Sequence, residues 1–122
     1  MSKYNHLPIF QQAYKLTLEI YQRTHHFPRE YKYTLGQKLK EMISDLLNCI
    51  VSANSKKDKA ETLEQARLKL EQIRIHTRLA SDLKVIKLEK FEYLNREIEE
   101  IAKRKMPDLN AISLEAAMAT IA

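Results

Sequence analysis

The amino-acid sequence predicts an all-α protein, folded as an antiparallel up-down-up-down four-helix bundle. The chain has 122 residues with only one glycine and three prolines, and strong helix formers supply much of the rest. Apolar residues recur at spacings of three and four in four segments of similar length. Short connections force consecutive helices to run antiparallel. The length suits one domain, which we place at residues 1–106, followed by a tail or short helix at residues 107–122.

The first helix is expected over about residues 7–26, with Pro8 tolerated in its first turn. Two apolar sets lie along it and together cover nearly half of its circumference. One set is Leu7, Phe10, Tyr14, Leu18 and Tyr21, and the other is Ile9, Ala13, Leu16 and Ile20. A face this wide indicates that the helix packs against more than one neighbour.

The second helix is expected over about residues 28–53, starting at Pro28. Its apolar stripe is Leu35, Leu39, Met42, Ile43, Leu46 and Ile50. Gly36 is unusual in a helical run, because glycine there costs about 1 kcal/mol relative to alanine. Either a neighbour approaches the backbone closely at Gly36 or the helix begins after it, and we favour the close approach.

The third and fourth helices are expected over about residues 58–82 and 87–105. Asp58 and Glu61 have the spacing of a capping box at the start of the third helix. The stripe of the third helix is Leu63, Ala66, Leu70, Ile73, Thr77 and Ala80, and that of the fourth is Leu88, Phe91, Leu94, Ile98 and Ile101.

Residue patterns for catalysis or for a cofactor are missing from the sequence. No histidine has a glutamate three residues before it, which excludes the Glu-x-x-His pairs of di-iron bundles. One glycine cannot build a phosphate-binding loop, and Cys49 lies in an apolar run that is typical of a buried structural cysteine. His25 and His26 lie at a helix end, where histidines commonly bond the last carbonyls. We therefore predict no enzyme activity, no catalytic residue, no metal site and no cofactor.

Charge and cysteine content narrow the partners and the compartment. All 21 lysines and arginines but only 14 of the 16 acidic residues lie within residues 1–105, which therefore carry a net charge of +7. A basic field attracts polyanions or acidic protein surfaces. The single cysteine and the lack of a signal peptide or long apolar stretch predict a cytoplasmic protein without a membrane segment.

The third helix has a second apolar set about 180° from its core stripe, formed by Leu68, Ile75 and Leu79. One bundle cannot bury both faces. Scattered exposed aliphatic side chains are common on monomers, but we favour the alternative, in which these three residues form an interface between subunits.

Three arginines lie between these two faces, and we call Arg67, Arg74 and Arg78 the arginine ridge. Residues 72–81 contain no acid to neutralise them, and like charges one turn apart are unfavourable on their own. A solvated face is one explanation. The other, which we adopt as the prediction, is that the ridge binds an acidic partner or phosphates.

Four stretches of the chain resemble a known family. They are FPREYKYTLGQKL from Phe27 to Leu39, ANSKKDKAETLEQA, LEQIRIHTRLASDLKVI and KFEYLNREIEEI. They resemble the four-helix-bundle accessory variability proteins of diversity-generating retroelements, over most of residues 7–104. Those proteins are similar in turn to bundle proteins encoded in intervening sequences of bacterial 23S ribosomal RNA genes.

The resemblance implies a non-catalytic accessory protein that assembles as a homopentamer and binds a reverse transcriptase and its template RNA, or an RNA/DNA hybrid, during mutagenic complementary-DNA synthesis. Arg74 and Arg78 match paired basic positions of the family's third helix, whereas Arg67 rests on charge alone. The end of the chain, MPDLNAISLEAAMATIA, departs from the family's more usual Gly-Trp and basic tail. The alternative is an intervening-sequence-type bundle protein that binds ribosomal RNA or another protein.

Overall fold

A computed structural model describes residues 7–55 and 59–104 of the chain. Within these ranges the ordered elements are all helices, namely α1 Pro8–His25, α2 Arg29–Lys32, α3 Leu35–Ser55, α4 Lys59–Asp82 and α5 Leu88–Arg104. Asp58 of the expected capping box and the tail at 107–122 lie outside the described residues. No helix in the described ranges is both long enough and apolar enough to cross a membrane.

The four long helices form a square in cross-section. Helix α1 packs against α3 and α5, and helix α4 packs against the same two helices. Helices α1 and α4 therefore occupy opposite corners of the bundle. Because the connections between consecutive long helices are short, neighbouring helices run antiparallel. The predicted fold class, an all-α antiparallel four-helix bundle, is confirmed.

One inward stripe from each helix builds the core. The predicted stripes of the second and third helices, now α3 and α4, are buried at every position. On α5, Leu94, Ile98 and Ile101 are buried, but Leu88 is 63% exposed, so its predicted place in the core is wrong. Leu88 is the first residue of α5 and lies at the end of the bundle, where the helix has only begun to face its neighbours.

Only one of the two apolar sets of α1 belongs to the core. Ile9, Ala13, Leu16 and Ile20 are buried. In the other set Tyr14, Leu18 and Tyr21 are each nearly half exposed. The expectation that α1 has two neighbours is correct, because it contacts α3 and α5. Leu7 and Phe10 of the second set are partly buried against the core, so only its later residues lie mainly on the surface.

The second helix does not run unbroken from Pro28, as the sequence predicted. After the single turn α2, Tyr33 leaves the helical conformation, and α3 begins at Leu35. The Thr34 hydroxyl donates to the Glu30 carbonyl oxygen at 3.1 Å, and the Thr34 carbonyl accepts from the Lys38 N–H at 3.0 Å. The residues at the break thus keep hydrogen bonds to the turns on both sides of it.

Gly36 lies in the first turn of α3, against the end of α1. A Cβ atom placed there would be 3.3 Å from the Tyr31 carbonyl oxygen and 3.4 Å from both Phe27 Cδ2 and Thr24 Cβ. The predicted close approach is therefore confirmed. The helix begins one residue before Gly36 and not after it.

We expect Gly36→Leu to lower the free energy of unfolding by about 1 to 3 kcal/mol, because there is no room for a side chain beyond Cβ. Gly36→Ala is the matched control, since its tight contacts offset a gain of about 1 kcal/mol in helix propensity. Urea unfolding followed by circular dichroism measures both variants. A Gly36→Leu variant as stable as the wild type would show that this contact is loose.

Helix α4 ends at Asp82, and a residue with left-handed backbone conformation follows two positions later. Lys84 has a φ of 62°, and the Val85 N–H donates to the Ala80 carbonyl at 2.8 Å. A left-handed residue at this position is a common helix terminator. The turn then packs Val85 and Ile86 against the core and brings the chain beside the end of α1.

Candidate partner-binding surfaces

The arginine ridge lies along α4 and is paired with carboxylates, which the sequence analysis did not expect. Arg67 donates two hydrogen bonds to Glu64, at 2.6 and 2.7 Å, and this bonding and the negative charge raise the pKa of the Arg67 guanidinium above its ordinary value. Arg78 Nε lies 3.8 Å from Asp82 Oδ2. The prediction of unneutralised arginines is wrong, because acids outside residues 72–81 pair with all three.

Arg74 differs from the other two arginines because it also joins two helices. Its Nη1 atom donates to Glu99 Oε2 on α5 at 3.0 Å, and its Nε atom lies 3.5 Å from Glu71 Oε1. The side chain is 32% exposed. Nε is buried and has no hydrogen-bond partner within the described part of the chain. Arg74 therefore contributes to the α4–α5 contact, and Arg67 and Arg78 form the more accessible part of the ridge.

The three predicted interface residues of α4 are exposed together. Leu68 is 55% exposed, Ile75 60% and Leu79 43%. Their spacings of seven and four place them on one side of the helix, opposite the buried stripe. We call these three residues the α4 face.

Helix α1 carries a second exposed apolar surface at the opposite corner of the bundle. Tyr14 and Leu18, one turn apart, are each 48% exposed, and the Tyr14 ring stacks on the partly buried Phe10 ring with the centroids 5.9 Å apart. Tyr21 turns toward α3, where its hydroxyl lies 3.1 Å from Ser44 Oγ and Lys40 Nζ lies 5.8 Å from its ring centroid. We call Phe10, Tyr14 and Leu18 the α1 face.

A groove that the sequence analysis missed lies where α1 ends and α5 begins. It encloses about 470 Å³ and is lined by Arg23, His26, Phe27, Val85, Ile86, Lys87, Glu89 and Lys90. Its cations come from two segments of the chain that are far apart in sequence. The available signal was the pair Lys87 and Lys90, three residues apart at the start of the fourth predicted helix.

Glu97 on α5 is the one buried acid among the described residues. Its Oε1 atom accepts a hydrogen bond from Gln12 Nε2 at 2.9 Å and lies 3.7 Å from Lys15 Nζ, both on α1. Nearby on α5, desolvation together with the negative charges of Glu19 and Glu97 raises the pKa of the Tyr93 phenol above its ordinary value. The Glu97 carboxylate thus connects α5 to α1 through its contacts with Gln12 and Lys15.

The described residues do not bring three His, Cys, Asp or Glu side chains together as a metal ion would require. Cys49 is the single cysteine of the sequence, and its side chain is partly buried against the core. The arrangement of the described residues offers four candidate partner-binding surfaces: the arginine ridge, the two apolar faces and the groove.

Comparison with known proteins gives two family matches. The family model described as bAvd-like matches residues 7–106, which is most of the chain. The model for the RNA binding domain of ribosomal protein L11 matches residues 95–122, a short stretch that overlaps the end of α5 and otherwise lies largely outside the described residues. No curated protein matches the chain significantly.

Proposed function

Because the chain belongs to the bAvd-like family, we propose that it is a non-catalytic accessory protein that binds a retroelement reverse transcriptase and its template RNA. It would act in the cytoplasm during mutagenic complementary-DNA synthesis, holding the enzyme and the template together. The family match over residues 7–106 carries the proposal. Several separate exposed surfaces on one small bundle support it, since an accessory protein of this kind needs more than one binding site.

We propose that the protein assembles as a ring of identical subunits, with five as the number that the resemblance implies. The α1 face and the α4 face lie at opposite corners of the bundle. A single apolar face would pair with itself and give a closed dimer, whereas two different faces give head-to-tail contacts that propagate until a ring closes. The α4 face of one subunit would then cover the α1 face of the next.

The arginine ridge would bind the reverse transcriptase. Arg67 and Arg78 hold carboxylates beside them, so the ridge presents both signs of charge. Glu64 and Asp82 would repel a phosphate backbone, but a protein surface can match a mixed pattern with charges of its own. We therefore assign the ridge to the protein partner in preference to the RNA.

The alternative function is binding of ribosomal RNA or another protein by an intervening-sequence-type bundle. The short match to an RNA binding domain of a ribosomal protein, at residues 95–122, favours this alternative. It covers far less of the chain than the bAvd-like match, so the retroelement role remains our proposal.

Co-purification tests the proposal. We expect that the tagged chain, co-expressed with the reverse transcriptase and template RNA encoded beside its gene, retains both on an affinity column. Complementary-DNA synthesis should also depend on adding the chain. A gene that lies inside a 23S ribosomal RNA gene, with no reverse transcriptase nearby, would instead support the alternative.

A further inference from the structure

The groove at the end of the bundle is lined by cationic side chains that form no ion pair within the described residues. Arg23 lies in the last turn of α1, Lys87 directly precedes α5, and Lys90 lies in its first turn. Within the described part of the chain none of these three forms an ion pair, whereas the three ridge arginines do. Lys90 Nζ instead lies 5.5 Å from the Tyr93 ring centroid. Side chains without an ion-pair partner should contribute most to the free energy of phosphate binding, because neutralising a phosphate releases its counterions.

The lining of the groove suits a chain of sugars and phosphates. Phe27 is buried, and Val85 and Ile86 pack against the core, so part of the wall is apolar. Glu89 is the single acid in the lining. A ribose can pack on the apolar part while the phosphates that flank it meet the cations.

Ring side chains lie directly beside the groove. A second depression of about 330 Å³ is lined by Tyr21, Gln22, His25 and His26, and His26 lines both depressions. The His25 and His26 ring centroids are 5.2 Å apart with the rings nearly perpendicular, and both residues are exposed. Exposed rings beside a cationic groove are the combination with which proteins bind single-stranded nucleic acids, since the rings stack on the bases.

We propose that this groove and the adjoining depression bind single-stranded RNA. Arg23, Lys87 and Lys90 contact the phosphates, and the His25 and His26 rings stack on bases. The inference rests on the proposed function, in which RNA is one of two partners, and it places the RNA on a different surface from the reverse transcriptase. An acidic peptide could use the cations, but it would have no use for the rings.

The test is a titration of a short labelled oligouridylate with the full chain, read by fluorescence anisotropy at several salt concentrations. We expect Lys87→Gln with Lys90→Gln to weaken binding at least about tenfold and to lower the slope of log affinity against log salt by about 1.4, since each contact with a single-strand phosphate contributes about 0.7. Both lysines lie at the N-terminal end of α5, where cations are unfavourable, so their removal should not destabilise the helix.

The matched control is Arg96→Gln with Lys103→Gln, which removes the same charge from exposed positions further along α5. This control should change the affinity by less than about threefold, because only the general field of the protein is reduced. A further variant, His25→Ala with His26→Ala, should weaken binding at least about fivefold with little change in the salt slope, because stacking releases no counterions.

The outcomes separate this inference from the proposed function. If the wild type binds the RNA and the groove variant binds equally well, the groove assignment is wrong and the proposed function stands. Equal weakening by the groove variant and its control also overturns the assignment, because it indicates a general attraction. A wild type that does not bind RNA overturns both the groove and the RNA part of the proposed function. Polyglutamate that competes fully with the RNA while the histidine variant binds normally would assign the groove to an acidic protein.

Discussion

Ile75→Glu with Leu79→Glu should convert the proposed ring into monomers of 14.4 kDa without loss of helix content. Both side chains are on the surface of the isolated bundle, so carboxylates are tolerated there. In the ring the same carboxylates would be removed from water without a partner, which is strongly unfavourable. Light scattering coupled to size-exclusion chromatography measures the mass, and circular dichroism measures the helix content.

The control for this experiment adds the same charge elsewhere. Gln37→Glu with Asn48→Glu changes two exposed polar positions on α3, away from both apolar faces, and should leave the mass of the assembly unchanged. A wild type that light scattering finds only as a monomer at micromolar concentration would contradict the ring.

Mixing variants tests the head-to-tail geometry. Tyr14→Glu with Leu18→Glu disrupts the α1 face and should also give monomers. Each of the two monomeric variants retains the face that the other has lost, so an equimolar mixture should form heterodimers. An interface in which the α4 face pairs with itself predicts instead that the α1-face variant stays a dimer and that the mixture contains no heterodimers, and that result would show that the head-to-tail arrangement is wrong.

Arg67→Glu with Arg78→Glu should weaken binding of the reverse transcriptase at least about 100-fold, because like charges that face each other across an interface cost several kcal/mol. Both side chains are more than half exposed, so the fold should be unaffected. Surface plasmon resonance with immobilised reverse transcriptase gives the affinities. The groove variant, Lys87→Gln with Lys90→Gln, is the control and should keep the affinity for the enzyme.

Reversing the charge of Arg74 would be a less specific test of partner binding, because it would also affect the stability of the bundle. From sequence alone, Arg74→Glu with Arg78→Glu should leave the bundle intact. In the structure a carboxylate at position 74 would face Glu99 and Glu71, and losing the hydrogen bond to Glu99 should lower the free energy of unfolding by about 1 to 3 kcal/mol.

Unchanged binding by the Arg67 and Arg78 variant, with matched mass and circular dichroism, would show that the ridge is only a solvated face.

The sequence predicts the core best where burial alone sets the spacing of apolar residues. The stripes of α3 and α4 are correct at every position for this reason. On α1 both apolar sets satisfy helical spacing, and only the positions of α3 and α5 decide which set faces inward. The break between α2 and α3 is a change of backbone conformation at Tyr33, which an apolar pattern does not report.

The binding surfaces are harder to predict because they depend on residues distant in sequence. Arg74 contacts Glu99 across 25 positions, and a helical wheel of α4 does not show this pairing with α5. The groove combines the end of α1 with the turn before α5. By contrast, the α4 face is formed by one helix, and its exposure could be predicted from a helical wheel.

The contact between Glu97 and Gln12 has a consequence for how the first and last helices align. Short connections limit how far the other neighbouring helices can slide past each other, but α1 and α5 are joined only through the rest of the chain. A slide of one helical turn would move α1 along α5 by about 5.4 Å. Such a slide would break the hydrogen bond between the Gln12 amide and the buried Glu97 carboxylate, which would lower the free energy of unfolding by about 1 to 3 kcal/mol. This polar pair therefore favours the observed register between α1 and α5.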